Sequence, residues 1–298
     1  MTETQTRLSG TDTKRDRQSL PVWKLMLRRL VRKGSAQLGG CIVLALLVMA
    51  VFAPQIATHD PFGMNMEMRT QPPSGEHLLG TDSMGRDMFS RIVYGSRITL
   101  QIGLISVGIS TIVGTIVGLM AGYLGGTFDM LVMRMIDILM SFAGILLALI
   151  VVAVLGPSLE NAMIAVGISG IPDFARLVRG STVSVKEEMY IEAARAQGGG
   201  MLHIMSRHVL PNIMSPIVIL ATLRFPAAII TAASLSFVGL GAQPPSPEWG
   251  ALLVNARVHL RRAPWIVNYP GIAIMFSVLG FNLLGNALRD VMDPREIH

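Results

Sequence analysis

The chain has 298 residues, of which 51% are hydrophobic and only 15% charged, and its mean hydropathy is +0.53. Soluble domains carry about a quarter charged residues, so the composition excludes an ordinary soluble enzyme and points to an all-α, polytopic membrane protein. The net charge of +6 does not mark a nucleic-acid binder, because the basic residues sit beside apolar runs without interleaved aromatics.

In chain order, the first 35 residues form a tail carrying Lys14, Arg15, Arg17, Lys24, Arg28, Arg29, Arg32 and Lys33. Basic residues ahead of a first span stay inside, so the tail is read as cytoplasmic. The basic stretch is too long for a cleaved signal, and no small-residue cleavage site follows the first apolar run. The pattern predicts six spans, at about 36–51, 98–120, 131–155, 161–178, 213–240 and 266–284. Six spans return the C-terminus, 291–298, to the inside. The organisation is then a first helix over 36–54, an outer segment over 55–97 and a core over 98–290, with an inner loop over 181–212. A second outer loop runs over 241–265. The single cysteine, Cys41, lies in the first span and is read as a small hydrophobe.

Within the second predicted span, Gly114, Gly118 and Gly122 recur every four residues. That spacing places them on one helix face, where another backbone can approach closely. In the third, Arg134 and Asp137 are three apart and are read as an ion pair. The fifth holds Pro216, Arg224 and Pro226. An intramembrane arginine either faces a polar path or snorkels to the surface, and the sequence leaves both open.

The inner loop mixes polar and apolar residues. Residues 186–197 favour a helix, Gly198, Gly199 and Gly200 offer a joint with positive φ, and residues 201–210 favour a second helix stopped by Pro211. Met201, Ile204, Met205 and His208 fall on one face of it. Such a face suits a partner's groove or the headgroup layer, and periodicity does not separate the two.

Several chemistries find no support. No Gly-Lys dipeptide occurs, so no phosphate loop of the G-x-x-x-x-G-K-[ST] type is present, and any ATP would be bound by another chain. No His/Cys cluster shows metal-ligand spacing, and His203 and His208, five apart, fall off a common helical face. Gly167-Ile168-Ser169-Gly170 looks like an intramembrane serine-protease motif. None of the six histidines falls in a predicted span to serve as its base, so Ser169 is read as a packing residue.

Glu192-Ala193-Ala194, then Gly198, then Leu210-Pro211 resembles the EAA loop of ABC import permeases. The run from His77 to Arg91 resembles the C-type permease of dipeptide, oligopeptide, nickel and glutathione importers, as do the runs at 174–180, 233–241, 247–250 and 281–285. Departures at Gly199-Gly200-Met201, Ala143 and Asn286-Ala287 remove no residue the cycle would need. The resemblance implies a type I importer fold and an ATP-driven inner-membrane transport subunit that is not itself an enzyme. It also implies that this chain binds no cofactor, since ATP and Mg are held by two partner ATPase subunits. The other expected partners are a second, homologous permease and an extracytoplasmic solute-binding protein. Glu192, Ala193, Ala194, Gly198, Met201, Ile204, Met205, Leu210 and Pro211 are the expected ATPase contact. Arg224, Ser234 and Ser236 are the expected path, and Asp82, Arg86, Asp87 and Trp249 the expected binding-protein contact. A passive channel is the second reading, sharing the spans but needing no docking loop.

Overall fold

The computed structural model describes residues 33–292, and among these no strand forms, only an isolated bridge between Thr81 and Asp87. The basic residues of the tail before Lys33 lie outside the described residues. The chain runs through α1 (Gly34–Val51), α2 (Met88–Leu124), α3 (Gly126–Met140), α4 (Gly144–Leu155), α5 (Leu159–Lys186), α6 (Met189–Ala196), α7 (Met201–Ile204), α8 (Leu210–Phe237), α9 (Trp249–Ala256) and α10 (Trp265–Met292). A single helical turn, Ala53–Ile56, follows α1, and a π-helical turn, Met205–Val209, joins α7 to α8.

Among the described residues, four helices are long and apolar enough to cross a membrane: α1, α2, the continuous stretch Met201–Phe237, and α10. The pair α3 and α4 makes a fifth if counted as one span, although the two are bent by 93°. At 28 residues α5 is also long enough, about 42 Å at 1.5 Å per residue. It carries Asp173, Arg176 and Arg179, which lower its hydropathy. Six crossings are therefore compatible with the fold, one of them broken and one polar. Lys33, just ahead of α1, lies 3.3 Å from Asp290 near the end of α10, so the start of α1 and the end of α10 lie side by side.

The Gly114-Gly118-Gly122 stripe packs inside this chain, against α5. A Cβ on Gly118 would stand 2.4 Å from the Ala175 carbonyl oxygen, and one on Gly114 2.5 Å from the Phe174 Cβ. The same face continues upstream through hydroxyls: Ser106 Oγ donates to Met163 O at 2.9 Å and Ser110 Oγ to Gly167 O at 2.6 Å. Lipid tails are as apolar as leucine, so helices in a bilayer associate by close packing and by such bonds, each worth roughly 0.6 kcal/mol. Gly39 and Gly280 give α1 and α10 a second close seam, where a Cβ on Gly39 would stand 2.7 Å from Leu284 N.

Three local expectations are corrected. The second helix starts at Met88, not near 98, because Asp87 caps it by accepting from Ser90 N at 2.7 Å. Its 37 residues therefore stand well beyond one bilayer thickness. Asp137 pairs with Arg176 of α5 at 2.5 Å rather than with Arg134, while Asp129 takes Arg179 in a two-pronged pair at 2.6 Å. These bridges fasten α3 to α5. Pro211 does not stop a helix: the helical stretch runs on through it, with the π-helical turn Met205–Val209 directly before it, the kind of irregularity that accommodates a proline inside a helix. The π turn before it also brings His203 and His208 to 5.6 Å between ring centroids, because residues five apart meet on a π-helix.

Candidate functional site: a charged cavity and an exposed loop

Three regions hold the expected site residues. The first is the polar frame over 55–97 and 241–265. There Asp82, Arg86, Asp87 and Trp249 are all buried within this chain and take part in its own packing. Asp82 accepts from the Met84 and Arg86 backbones and from Arg86 Nε at 2.7 Å, with Arg91 Nε at 3.6 Å. Arg91 reaches on to Pro61 O at 2.9 Å and to the carbonyls of Pro245 and Ser246, tying the segment over 55–97 to that over 241–265. Trp249 fits over Gly95, where a Cβ would stand 2.5 Å from its indole nitrogen, and it donates to Ile92 O at 3.1 Å. Glu248 caps α9 by accepting from Gly250 N and Ala251 N. Burial pushes its carboxyl above the usual carboxylate range, against those bonds and one from Ser236.

The second region is a cavity of about 380 Å³ at the break between α3 and α4. Its walls include Ser106 and Ser110 of α2, Phe142 at the break, Ser169 and Asp173 of α5, and Arg224 of α8. Irregular backbone at membrane depth survives only where protein buries it or a wet cavity takes its free groups. Of the break at 141–143, Phe142 lines this cavity, and Ser141 and Phe142 keep backbone bonds to Asp137 O and Leu139 O. Arg224 Nη2 lies 2.6 Å from Asp173 Oδ2, and each residue sits near the middle of its helix. Of the two sequence readings for Arg224, the geometry favours the one in which it faces a cavity. Pro172 and Pro226 flank the pair, and Phe225 packs into the space left by Gly103 and stacks on Phe281 at 4.0 Å.

The other two expected path residues lie elsewhere. Ser234 donates to Ile230 O, and buried Ser236 accepts from Ala242 N at 3.2 Å, so neither lines the cavity. Asp173 escaped the sequence reading, although an acidic residue beside Pro172 inside an apolar run was a usable signal. Ser169 lines the cavity and donates to Val166 O, with no histidine among the lining residues.

The third region is the inner loop. α6 ends on Gly198, whose φ of +82° suits glycine, and Gly199 N closes on Ala194 O at 3.0 Å. Ile191, Ile204, Met205 and Val209 are buried and anchor the loop to the main core. The expected contact face is thereby split. Ile204 and Met205 turn inward, whereas Met201 stays exposed, and Leu202 and Met189 are 75% and 82% exposed. Glu192, Ala193, Gly198 and Pro211 are exposed, and Ala194 and Leu210 half-buried. Arg195 rests over the Tyr123 ring at 5.2 Å, which ties α6 to the end of α2.

Residues 114–298 match the model of the binding-protein-dependent transport system inner membrane component, and residues 22–73 match the N-terminal TM domain of oligopeptide transport permease C. The chain belongs to the binding-protein-dependent transport permeases. This permease is 47% identical to the dipeptide transport system permease protein DppC of Alkalihalophilus pseudofirmus over 92% of its own length and 90% of that chain. It is equally identical, at 47% and with the same coverage, to the glutathione transport system permease protein GsiD of Escherichia coli. The Pectobacterium atrosepticum GsiD is 46% identical over 94% of both chains. Its fold resembles a chain of the inward-facing MetNI methionine ABC transporter, with a TM-score of 0.56 at 20% identity over 68% of this chain and 97% of that one. The permease is thus a multi-pass inner-membrane transport subunit and not an enzyme.

Proposed function

We propose that this permease carries a small zwitterionic solute, a di- or oligopeptide or glutathione, through the Asp173–Arg224 cavity of an ATP-driven importer. The observation that carries the reading is that pair. A cation and an anion 2.6 Å apart in a membrane cavity offer matched partners to the carboxylate and ammonium of a peptide. The names of its relatives point to the same solute class. Nickel alone suits the cavity less well, because no histidine or cysteine lines it.

In this reading both termini face the cytoplasm, and the inner loop docks on an ATPase subunit. The docking surface is the exposed set Met189, Tyr190, Met201 and Leu202, with Glu192 and Gly198 setting the shape of α6 and its end. Ile204 and Met205 pass the motion inward, since they belong to the same core as α2, α5 and α8. A second, homologous permease closes the path, two ATPases bind ATP and Mg, and a solute-binding protein delivers cargo from outside. ATP closes the ATPase pair, the loop moves, and the helices rock about the cavity.

Uptake of a labelled dipeptide, a longer peptide, glutathione and nickel by cells with and without this chain tests the reading. Selective loss of a peptide or glutathione is expected. Replacing Arg224 with leucine should abolish that uptake while the chain still reaches the membrane; unchanged uptake and preference would exclude the cavity. Uptake that persists when ATP is depleted would favour the passive channel.

A further inference from the structure

The geometry points to a resident transition-metal site in the polar frame, built from His59, Glu76 and His77. One ring nitrogen of each histidine and one Glu76 carboxylate oxygen lie within 4.8 Å of one another. These residues come from separate stretches. His59 follows the helical turn after α1, and Glu76 and His77 belong to the turn before Gly80. The sequence showed no such cluster because its members are 17 residues apart at the nearest approach between stretches.

The surroundings are those of a metal site as well as of a turn. The two rings face each other at 4.7 Å between centroids and 37° between planes. His77 is buried, and its Nδ1 lies 3.0 Å from Asp87 Oδ1. Asp87 is itself fixed, because its other oxygen accepts from Ser90 N at 2.7 Å. A carboxylate holding Nδ1–H selects the tautomer whose Nε2 has a free lone pair, and metal-bound histidines almost always carry such a second partner. His59 is arranged alike: its Nδ1 is 3.0 Å from Thr58 Oγ1, and its backbone N–H donates to Ser90 Oγ at 3.0 Å. Asp87 Oδ1 also lies 3.9 Å from His59 Nδ1, so one carboxylate faces both rings, and a tautomer that leaves Nε2 free for a ligand is open to each. Glu76 is exposed and supplies the negative charge.

Two imidazoles and a carboxylate select a borderline divalent ion of the zinc, cobalt or nickel class over magnesium or calcium, which prefer oxygen throughout. Bonds of about 2.0–2.2 Å in a tetrahedral set put ligand atoms about 3.3 Å apart, so the side chains need to close by up to roughly 1.5 Å. A bound ion would staple the exit of the first helix to the turn that leads into α2, through the same Asp87 that caps α2. Binding does not depend on the transport reading. Its placement outside the cell does.

The test uses the full chain co-purified with its partners, without a polyhistidine tag, stripped with EDTA and titrated with zinc and with cobalt. The wild type should take one equivalent at micromolar affinity or better, give the visible cobalt spectrum of a four-coordinate nitrogen–oxygen site, and melt at a higher temperature with zinc. A His59→Gln/Glu76→Gln double variant, which spares the buried His77–Asp87 contact, should elute and melt like metal-free wild type. It should bind at least about tenfold more weakly. A His203→Gln/His208→Gln variant should bind like wild type. The proposal fails if the wild type takes up no equivalent, if the double variant binds equally well, or if only the His203/His208 variant loses binding. It also fails as a resident site if ATP turnover releases the ion, since that would make the ion cargo. Because this readout is binding, a failed uptake assay leaves it untouched.

Discussion

The polar frame and the inner loop are two polar interruptions between the apolar helices, and they are built in opposite ways. In the frame, Asp82, Arg86, Arg91 and Trp249 are buried and bonded to backbone or, for Arg86, to the Asp82 carboxylate, so polar contacts hold the region together. In the loop, Met189 and Leu202 are exposed and the anchors are apolar, so the region keeps a face free. Charge in a motif is thus no guide to exposure. A buried ion pair persists when hydrogen bonds satisfy its other groups, and around Asp82 they do so for its carboxylate, which takes the Met84 and Arg86 backbones, while Arg91 Nε is held at 3.6 Å by charge alone.

The comparison predicts that frame variants act on folding and loop variants on coupling. The largest effect is expected for Asp82→Ala. Leaving Arg86 and Arg91 buried and unpaired costs about 3–5 kcal/mol, so folded chain in the membrane should fall sharply; a normal yield and melting temperature would break the contrast. Trp249→Ala comes next, at about 3 kcal/mol or more for a fully buried indole. It should lower the melting temperature of the purified complex before it touches the ratio of uptake to ATP hydrolysed. In the loop, Gly198→Ala forces a side chain into the left-handed region and should cost about 1 kcal/mol. Uptake per folded chain should drop while the yield holds. The smallest effect is expected for Tyr123→Leu, which removes a ring under Arg195 worth about 0.5–1 kcal/mol. Proteolysis of α6 should quicken slightly, with uptake close to wild type.

Much of this contrast was legible in the residues, and what was not has physical causes. The apolar runs announced α1, α2, α8 and α10, and the four-residue glycine period announced the α2 seam, though not that α5 fills it. The break at 141–143 was hidden, because an apolar run of span length reads as one helix whether or not it bends, and Ala143 there is no punctuating residue. Pro211 misled, since a helical stretch runs on through a proline when the turn before it is π-helical. The burial of Ile204 and Met205 was also out of reach. Periodicity puts residues on a face but does not say whether that face meets a partner or the chain's own core. The Asp173–Arg224 pair joins residues 51 apart, and only the packing of α5 on α8 brings them together.

The most direct test of the central claim, that exposed apolar side chains of the inner loop couple this permease to ATP, is one reconstitution. Wild-type and Met189→Asp/Leu202→Asp complexes would be placed in vesicles with binding protein and labelled peptide, and both ATP-driven uptake and retained ATPase subunit would be measured. Both side chains are exposed, so the variant should fold and melt like wild type, within about 0.5 kcal/mol. The account predicts that it sheds the ATPase subunit and loses uptake. Full uptake with the ATPase still bound would contradict it.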